Sequence, residues 1–360
     1  MTNIEQIKVV SYGGYYSTGA SVVRDIFREF EPNFELSIEF RLIKERFGLL
    51  DLERTILHDY APESIDLAIM DFVWLASNLA RKSGRFKKAG FSYDARTNDV
   101  FSAATSEFID EISDYQYPMS WHFYDFKRGY FSQIYRRFRN KVLVRNVRIK
   151  EGDVLATLSY PGKEKYFLAA KKYINSILSG IQDFNNCDKN SVVGLHNAIP
   201  CFSVELIDRS IAYFSSCKII LIDRDPRDVF INYPKDSYGR YLPKTDNLME
   251  KAKAFVYFYK SIRVNQQSVS NHPNVLFLKF EDVCFDYEKM LQKILDFSEL
   301  DKSEHINKGA IFSPEESIKN IGMWKNCNGE MKEAISYIEK ELSEYLYVGQ
   351  PQLKISSFDK

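Results

Sequence analysis

Neither sign of charge is in excess: 49 Lys and Arg balance 49 Asp and Glu. A chain without a cationic surplus is not built for general nucleic-acid binding. Cysteine is scarce as well. Cys187, Cys201, Cys217, Cys284 and Cys327 are scattered, odd in number and in no metal-ligand spacing. They read as reduced thiols, which suggests a cytoplasmic protein. The five histidines form no ligand pair, so no metal is expected. No apolar run reaches the roughly 18 residues of a membrane span, and the opening MTNIEQIKVVSYGG lacks the charged-then-apolar layout of a signal peptide. There is no internal repeat and no low-complexity tract.

What is present suits a large globular core. Of 360 residues, 45% are hydrophobic and 15% aromatic, enough for one large domain or two ordinary ones. Lys8–Tyr12 reads as a buried strand, and from Ala20 the residues Val22, Val23, Ile26, Phe27 and Phe30 mark one face of a helix. Between them lies a loop of glycine, tyrosine and small hydroxyl residues. Strand, small-residue loop and helix are the recipe for a phosphate cradle, the alternative being a plain strand-to-helix turn with no ligand. Gly14 and Gly19 have the G-x-x-x-x-G spacing with Ser21 in the hydroxyl slot, but Ala20 stands where an ATPase or kinase needs lysine.

Further along, Phe34–Phe47 is either a strand or a short amphipathic segment. Leu49–His58 and Ser64–Ala80 have helical periodicity, with Pro62 at a helix start. Residues 84–160 are rich in Phe, Tyr and Arg without a clear period, and read as an insertion with its own helices and a hairpin. A helix returns over Gly162–Ile181. The second half alternates: strands at Ser191–Leu195, Cys217–Ile222 and Val275–Phe280, helices at Phe202–Phe214, Leu248–Val269, Asp286–Phe297 and Glu330–Leu346. Apolar runs separated by helices predict an α/β fold, a central parallel sheet flanked by helices with a largely helical insertion. The whole of 1–360 is expected to form a single domain.

A second informative stretch is CKIILIDRDPRDVFINY, residues 217–233. A buried strand delivers Arg224 and Asp225 to its carboxyl end, where open α/β sheets bind ligands, and Pro226 opens a helix. Arginine there suits bidentate phosphate recognition, unless it simply pairs with Asp225 or Asp228.

The loop, the D-R-D-P-R-D-V block, LKFEDV at Leu278–Val283 and IGMWKN at Ile321–Asn326 occur in an order that resembles the sulfotransferases using 3′-phosphoadenosine 5′-phosphosulfate (PAPS), which have a P-loop-like three-layer fold. The resemblance spans roughly residues 7–47 and 190–346. It implies sulfuryl transfer from PAPS to an acceptor hydroxyl, most plausibly on a saccharide or lipid-linked glycan, without a metal. The family's 5′-phosphosulfate loop corresponds to Tyr12–Ser21, so Tyr15, Tyr16, Ser17, Thr18, Gly19, Ala20 and Ser21 are the implied donor contacts. Arg224 matches its 3′-phosphate arginine, Asn232 stands in place of its serine, and Lys319 is the nearest cation to its C-terminal basic segment.

His196 in VVGLHNAIP resembles the family's base, with Glu39 and Glu45 as the carboxylate alternatives. Ser17 departs from the pattern, because the family has a cation there. Arg41, Lys44 or a residue of the insertion would have to replace it. Glu281 and Asp282 read as structural and Trp324 as core. The basic run Arg136, Arg137, Arg139, Lys141, Arg145, Arg148 and Lys150 is either a solvated face or a rim for an anionic acceptor. Two other functions stay open: a nucleotide kinase or other phosphoryl transferase on a degenerate P-loop, and a catalytically inactive nucleotide-binding relative.

Overall fold

The computed structural model describes residues 6–32, 34–59, 61–82, 91–118, 131, 134, 155–232 and 242–349. In chain order the strands are β1 (Lys8–Gly14), β2 (Glu35–Glu39), β3 (Tyr115–Pro118), β4 (Leu155–Leu158), β5 (Val193–His196), β6 (Ser216–Asp223) and β7 (Val275–Lys279). The helices are α1 (Ser21–Phe27), α2 (Leu49–Arg54), α3 (Pro62–Ala80), α4 (Val100–Ile112), α5 (Gly162–Phe184), α6 (Val204–Ile211), α7 (Pro226–Asn232), α8 (Leu248–Ser261), α9 (Gln266–Ser270), α10 (Phe280–Phe285), α11 (Tyr287–Ser298), α12 (Pro314–Ile318) and α13 (Gly329–Glu341).

Five strands form a parallel sheet in the order β2-β5-β1-β6-β7. The strands alternate their side chains between two apolar layers, as a period of two requires. In β6, Ile219 and Leu221 join a core with α2, α3, α4 and α5, while Ile220 and Ile222 join one with α1 and α11. Covering both faces explains why CKIILI is apolar without interruption. A third apolar cluster packs α7, α8 and α13 through Phe230, Phe255, Tyr259, Ile335 and Ile338.

Several sequence boundaries shift. Phe34–Phe47 resolves into β2 followed by turns. Leu49–His58 is a short α-helix continued by a π-helical turn, Thr55–Asp59. His196 is the last residue of β5 and does not lie beyond it. The helix expected over Leu248–Val269 breaks into α8 and α9. At the break Arg263 turns inward, its guanidinium over the rings of Tyr259 (3.4 Å) and Tyr15 (4.6 Å) and 2.8 Å from Asp223 Oδ1. Continuing the helix would forfeit that buried ion pair.

The described part of the 84–160 segment is woven into the main core. Phe101 and Phe108 of α4 pack in the cluster that holds Ile174 and Ile177 of α5, and β3 pairs antiparallel with β4. The basic run from Arg136 to Lys150 lies outside the described residues.

Residues 305–312 are tied to the end of α1 by buried Glu29. Its carboxylate accepts from Ile311 N (3.0 Å) and Phe312 N (2.7 Å) and lies 2.8 Å from His305 Nε2. Removing one partner from such a buried polar network is costly. Glu29→Ala should lower the unfolding free energy by about 3–5 kcal/mol in urea titration, and a change under about 1 kcal/mol would mean the tie is solvated.

Candidate active site

Parallel pairing brings the carboxyl ends of β1, β2, β5 and β6 to one edge. Register places Glu39 of β2 against His196 of β5, and His196 against Tyr12 of β1. The Tyr12 and His196 rings stack with centroids 5.3 Å apart, and Tyr12 Oη donates to Glu35 behind them. Asn197 follows His196 with φ 53°, a left-handed conformation that asparagine tolerates well. Its backbone N–H donates to Tyr12 O (2.7 Å), and its side-chain amide donates to Glu39 Oε1 (3.0 Å).

That second bond fixes the amide's orientation, since a carboxylate only accepts. Asn197 Nδ2 is therefore the atom 3.3 Å from His196 Nε2. Nε2 carries a lone pair toward it, and the imidazole is neutral. Burial pushes the His196 pKa down to about 4, opposed by Glu39 and reinforced by Arg24, Lys44 and Arg41. Burial acts to raise the Glu39 pKa, but Lys44 and Arg41 outweigh it and hold the carboxyl below its ordinary value. Arg41 pairs with Glu39 and with Glu45 (3.0 Å), and Lys44 Nζ lies 3.1 Å from Glu39 Oε1. Sequence reasoning proposed His196, Glu39 and Glu45 as alternatives. In the fold, Glu39 and His196 are joined through Asn197, while Glu45 belongs to the Arg41 ion pair.

The loop after β1 has the expected strand-to-helix form. Tyr16 (φ 54°), Ser17 (52°) and Gly19 (93°) all have positive φ. Thr18 is buried, and its Oγ1 accepts from Tyr15 N (3.1 Å) and donates to Ile222 O (2.7 Å), which pins the loop to β6. Ala20 caps α1 without a side-chain bond, and Ser21 is the first helical residue, exposed. Ser17 Oγ and Tyr15 Oη are buried without a hydrogen-bond partner among the described residues. Gly19 is explained by its φ and by Phe280, whose ring would lie 2.6 Å from an added Cβ. Close approach of an anion is not needed to account for that glycine.

Arg224 lies beyond β6 on the α1 side. Its plane covers the Phe280 ring (4.6 Å), Nη2 donates to Asn320 O, and its Nε is buried without a partner among the described residues. Burial lowers its pKa below the ordinary arginine value, opposed by Asp228 and Glu281. Asp225 does not take it. That carboxylate instead holds Arg227 through Nε (2.9 Å) and Nη2 (2.7 Å), and Arg227 also covers the Trp324 ring (3.7 Å). Asp228 accepts from Gly322 N (2.7 Å). Glu281, pushed up to about 7 by burial, accepts from Asp225 N (2.8 Å) and braces the turn.

Asn232 ends α7, half-buried. Lys319 is paired with Glu316 (2.6 Å), and its side chain is 67% exposed. The sequence reading missed Asn197, Phe280 and Asn320. Of these only Asn197 carried a signal, as the turn-forming residue next to a strand-end histidine.

A family model described as "Sulfotransferase domain" matches residues 131–347. The chain belongs to the sulfotransferase family and is an enzyme of sulfuryl transfer. The match starts within the 84–160 segment and does not include β1 or its loop, a different extent from the sequence expectation. No curated protein matches the chain. Among solved structures it is similar to the sulfotransferase domain from the curacin biosynthetic pathway (10% identity, 94% of this chain and 98% of that one, TM-score 0.42). Others are STF9 from Mycobacterium avium (9%, 95% and 76%, 0.36) and mouse sulfotransferase SULT7A1 complexed with PAP (19%, 46% and 70%, 0.29). Among the described residues no helix is long and apolar enough to cross a membrane, and no His, Cys, Asp and Glu cluster could hold a metal.

The depressed His196 value sets a sign. It lies below the value near 6.5 of an unfolded histidine, so the unfolded chain takes up this proton first. The stability contributed by neutral His196 is present above pH ~6.5 and is lost as pH falls toward the folded value. An NMR titration should show one imidazole with its midpoint near 4, absent in His196→Gln. A midpoint near 6.5 for that signal would mean the ring is solvated.

Proposed function

We propose that the protein transfers the sulfuryl group of PAPS to an acceptor hydroxyl, with His196 as the base. The observation that carries this reading is the meeting of three features at one sheet edge. They are the positive-φ loop after β1, the buried Arg224 whose Nε has no partner among the described residues, and the neutral His196 held by Asn197 and Glu39.

In this reading the segment Tyr12–Ser21, with Tyr15, Tyr16, Ser17, Thr18, Gly19 and Ala20, cradles the 5′-phosphosulfate through backbone N–H groups. Arg224 takes the 3′-phosphate, and the unpaired Nε supports it, because a buried guanidinium nitrogen lacking an acceptor is costly unless an anion supplies one. Asn232 and Lys319 contribute from α7 and the end of α12. Lys319 would have to leave Glu316 to do so.

The acceptor hydroxyl displaces Asn197 Nδ2 from the single Nε2 lone pair of His196, which then takes its proton as the oxygen attacks sulfur in line. A base of pKa about 4 is weak in the free enzyme. The negative charge of a bound donor raises it toward the range useful for proton transfer. Glu39, held ionised by two cations, orients Asn197 and stabilises the imidazolium, and we assign it no proton transfer of its own. Glu45 steadies Arg41.

The chain would form one domain over 1–360, with the 84–160 segment bordering the acceptor. A saccharide or lipid-linked glycan is the proposed acceptor, resting on the family resemblance, and the cytoplasm the proposed compartment, resting on the five scattered cysteines.

Arg224→Ala should weaken binding of adenosine 3′,5′-bisphosphate by about 1.5–3 kcal/mol in calorimetry, with little effect on adenosine 5′-phosphate. Equal losses for both would remove Arg224 from the 3′-phosphate. His196→Ala should lower kcat by about 10²–10⁴-fold at unchanged donor affinity. It should also abolish the acid limb of kcat/KM near pH 4. Full activity in that variant would assign the base elsewhere.

A further inference from the structure

Sulfuryl transfer moves charge. The acceptor oxygen forms a bond to sulfur, and the bond from sulfur to the bridging phosphate oxygen breaks. Its electron pair stays on that oxygen, and the acceptor's proton goes to His196. A cation aimed at the bridging oxygen or the sulfuryl oxygens stabilises what develops there, and in a site shielded from water such a donor is among the largest contributions to rate. The loop from Tyr15 to Ser21 contains no cationic side chain. The charge has to be met from another element.

Among the described residues, three cations act on His196: Arg24, Arg41 and Lys44. Arg24 is held by Asp25, with Nε at 3.1 Å and Nη2 at 3.0 Å from Oδ1. Arg41 has one terminal nitrogen on Glu39 and the other on Glu45, and its plane lies over the Phe91 ring at 5.0 Å. Each guanidinium has two of its three nitrogens on carboxylates, and Arg41 keeps only its buried Nε without a partner among the described residues. Lys44 has more to donate. Among the described residues it makes one hydrogen bond, to Glu39 Oε1, leaving two ammonium protons to donate, and its side chain is 22% exposed.

Position favours it too. Asn197 donates to the same Glu39 oxygen, and its Oδ1 packs against Gly13, where an added Cβ would lie only 2.6 Å away. The ammonium is therefore linked through Glu39 and Asn197 to the start of the loop.

We propose that Lys44 is the transfer cation of this enzyme, donating to the sulfuryl or bridging oxygen beside His196 and doing from the turn after β2 what no residue of the loop does. Glu39 is then a positioning residue, holding Lys44 and Asn197 to one oxygen. The inference rests on the sulfuryl-transfer reading and goes beyond it in naming the residue.

The test uses the full chain, PAPS and water as the acceptor, following release of adenosine 3′,5′-bisphosphate. Lys44→Met should lower kcat by about 10²–10³-fold while affinity for adenosine 3′,5′-bisphosphate stays unchanged. If that variant does not fold, Lys44→Gln serves. A merely structural lysine is separated by rescue: added methylammonium, or Ser17→Lys placed in the Lys44→Met background, should recover at least about tenfold of the lost rate. Release within about threefold of the parent in Lys44→Met, or a loss that neither rescue restores, overturns the assignment while leaving the sulfuryl-transfer reading intact. No release by the parent, with no binding of adenosine 3′,5′-bisphosphate, overturns both.

Discussion

The parallel register of β2, β5 and β1 holds the site together. Glu39, His196 and Tyr12 are neighbours because the ends of β2 and β5 are in register with a residue two short of the end of β1, and two backbone bonds beyond the ladder lock them there, Asn197 N to Tyr12 O (2.7 Å) and Phe40 N to His196 O (2.8 Å). A slip of β5 by one residue would exchange Leu195 for His196 and turn every side chain of that strand to the opposite face. The apolar layers on both sides forbid that exchange, so the site inherits its geometry from the core.

Electrostatics then divide the edge of the sheet into two halves. Around His196 the apolar burial keeps the imidazole neutral while Arg24, Arg41 and Lys44 gather near a single ionised carboxylate, Glu39. Beneath the loop a different set is spent on structure. Asp223, held down to about 2 because Arg263 and Lys279 outweigh the burial that would raise it, anchors the end of β6. Arg263 in turn supports the Tyr15 ring. Charges that close on one another stiffen the platform, whereas charges with donors to spare are available to a substrate.

Legibility in the sequence followed the same division. Four strands of the sheet announced themselves as apolar runs bounded by helices, while β2, with its alternating charges, stayed ambiguous within Phe34–Phe47. Arg224 stood out because it follows the clearest of the four. The long helix over Leu248–Val269 was misjudged because its break is set by a tertiary ion pair, Arg263 to Asp223, 40 residues apart. The roles of Glu39 and His196 read as alternatives because only pairing between strands shows that one carboxylate and one imidazole share Asn197. Gly19 read as an anion contact, yet its φ and the Phe280 ring already require glycine. Ser17 was marked as a departure from the family with Arg41 and Lys44 among the replacements, but only the fold shows both of these cations paired with Glu39, opposite His196 in the sheet.

Arg224 also holds a contact that the proposed donor site would change. Its Nη2 donates to the carbonyl of Asn320, on the segment leading to Trp324, and in the proposed reading a 3′-phosphate at the guanidinium competes with that carbonyl. The most direct measurement is a crystal structure of the protein with adenosine 3′,5′-bisphosphate. The 5′-phosphate should lie within hydrogen-bond distance of loop N–H groups between Tyr15 and Ser21. The 3′-phosphate should sit on Arg224 with the Asn320 carbonyl withdrawn. Nucleotide bound away from the carboxyl ends of β1 and β6, or both phosphates distant from Arg224, would contradict this site.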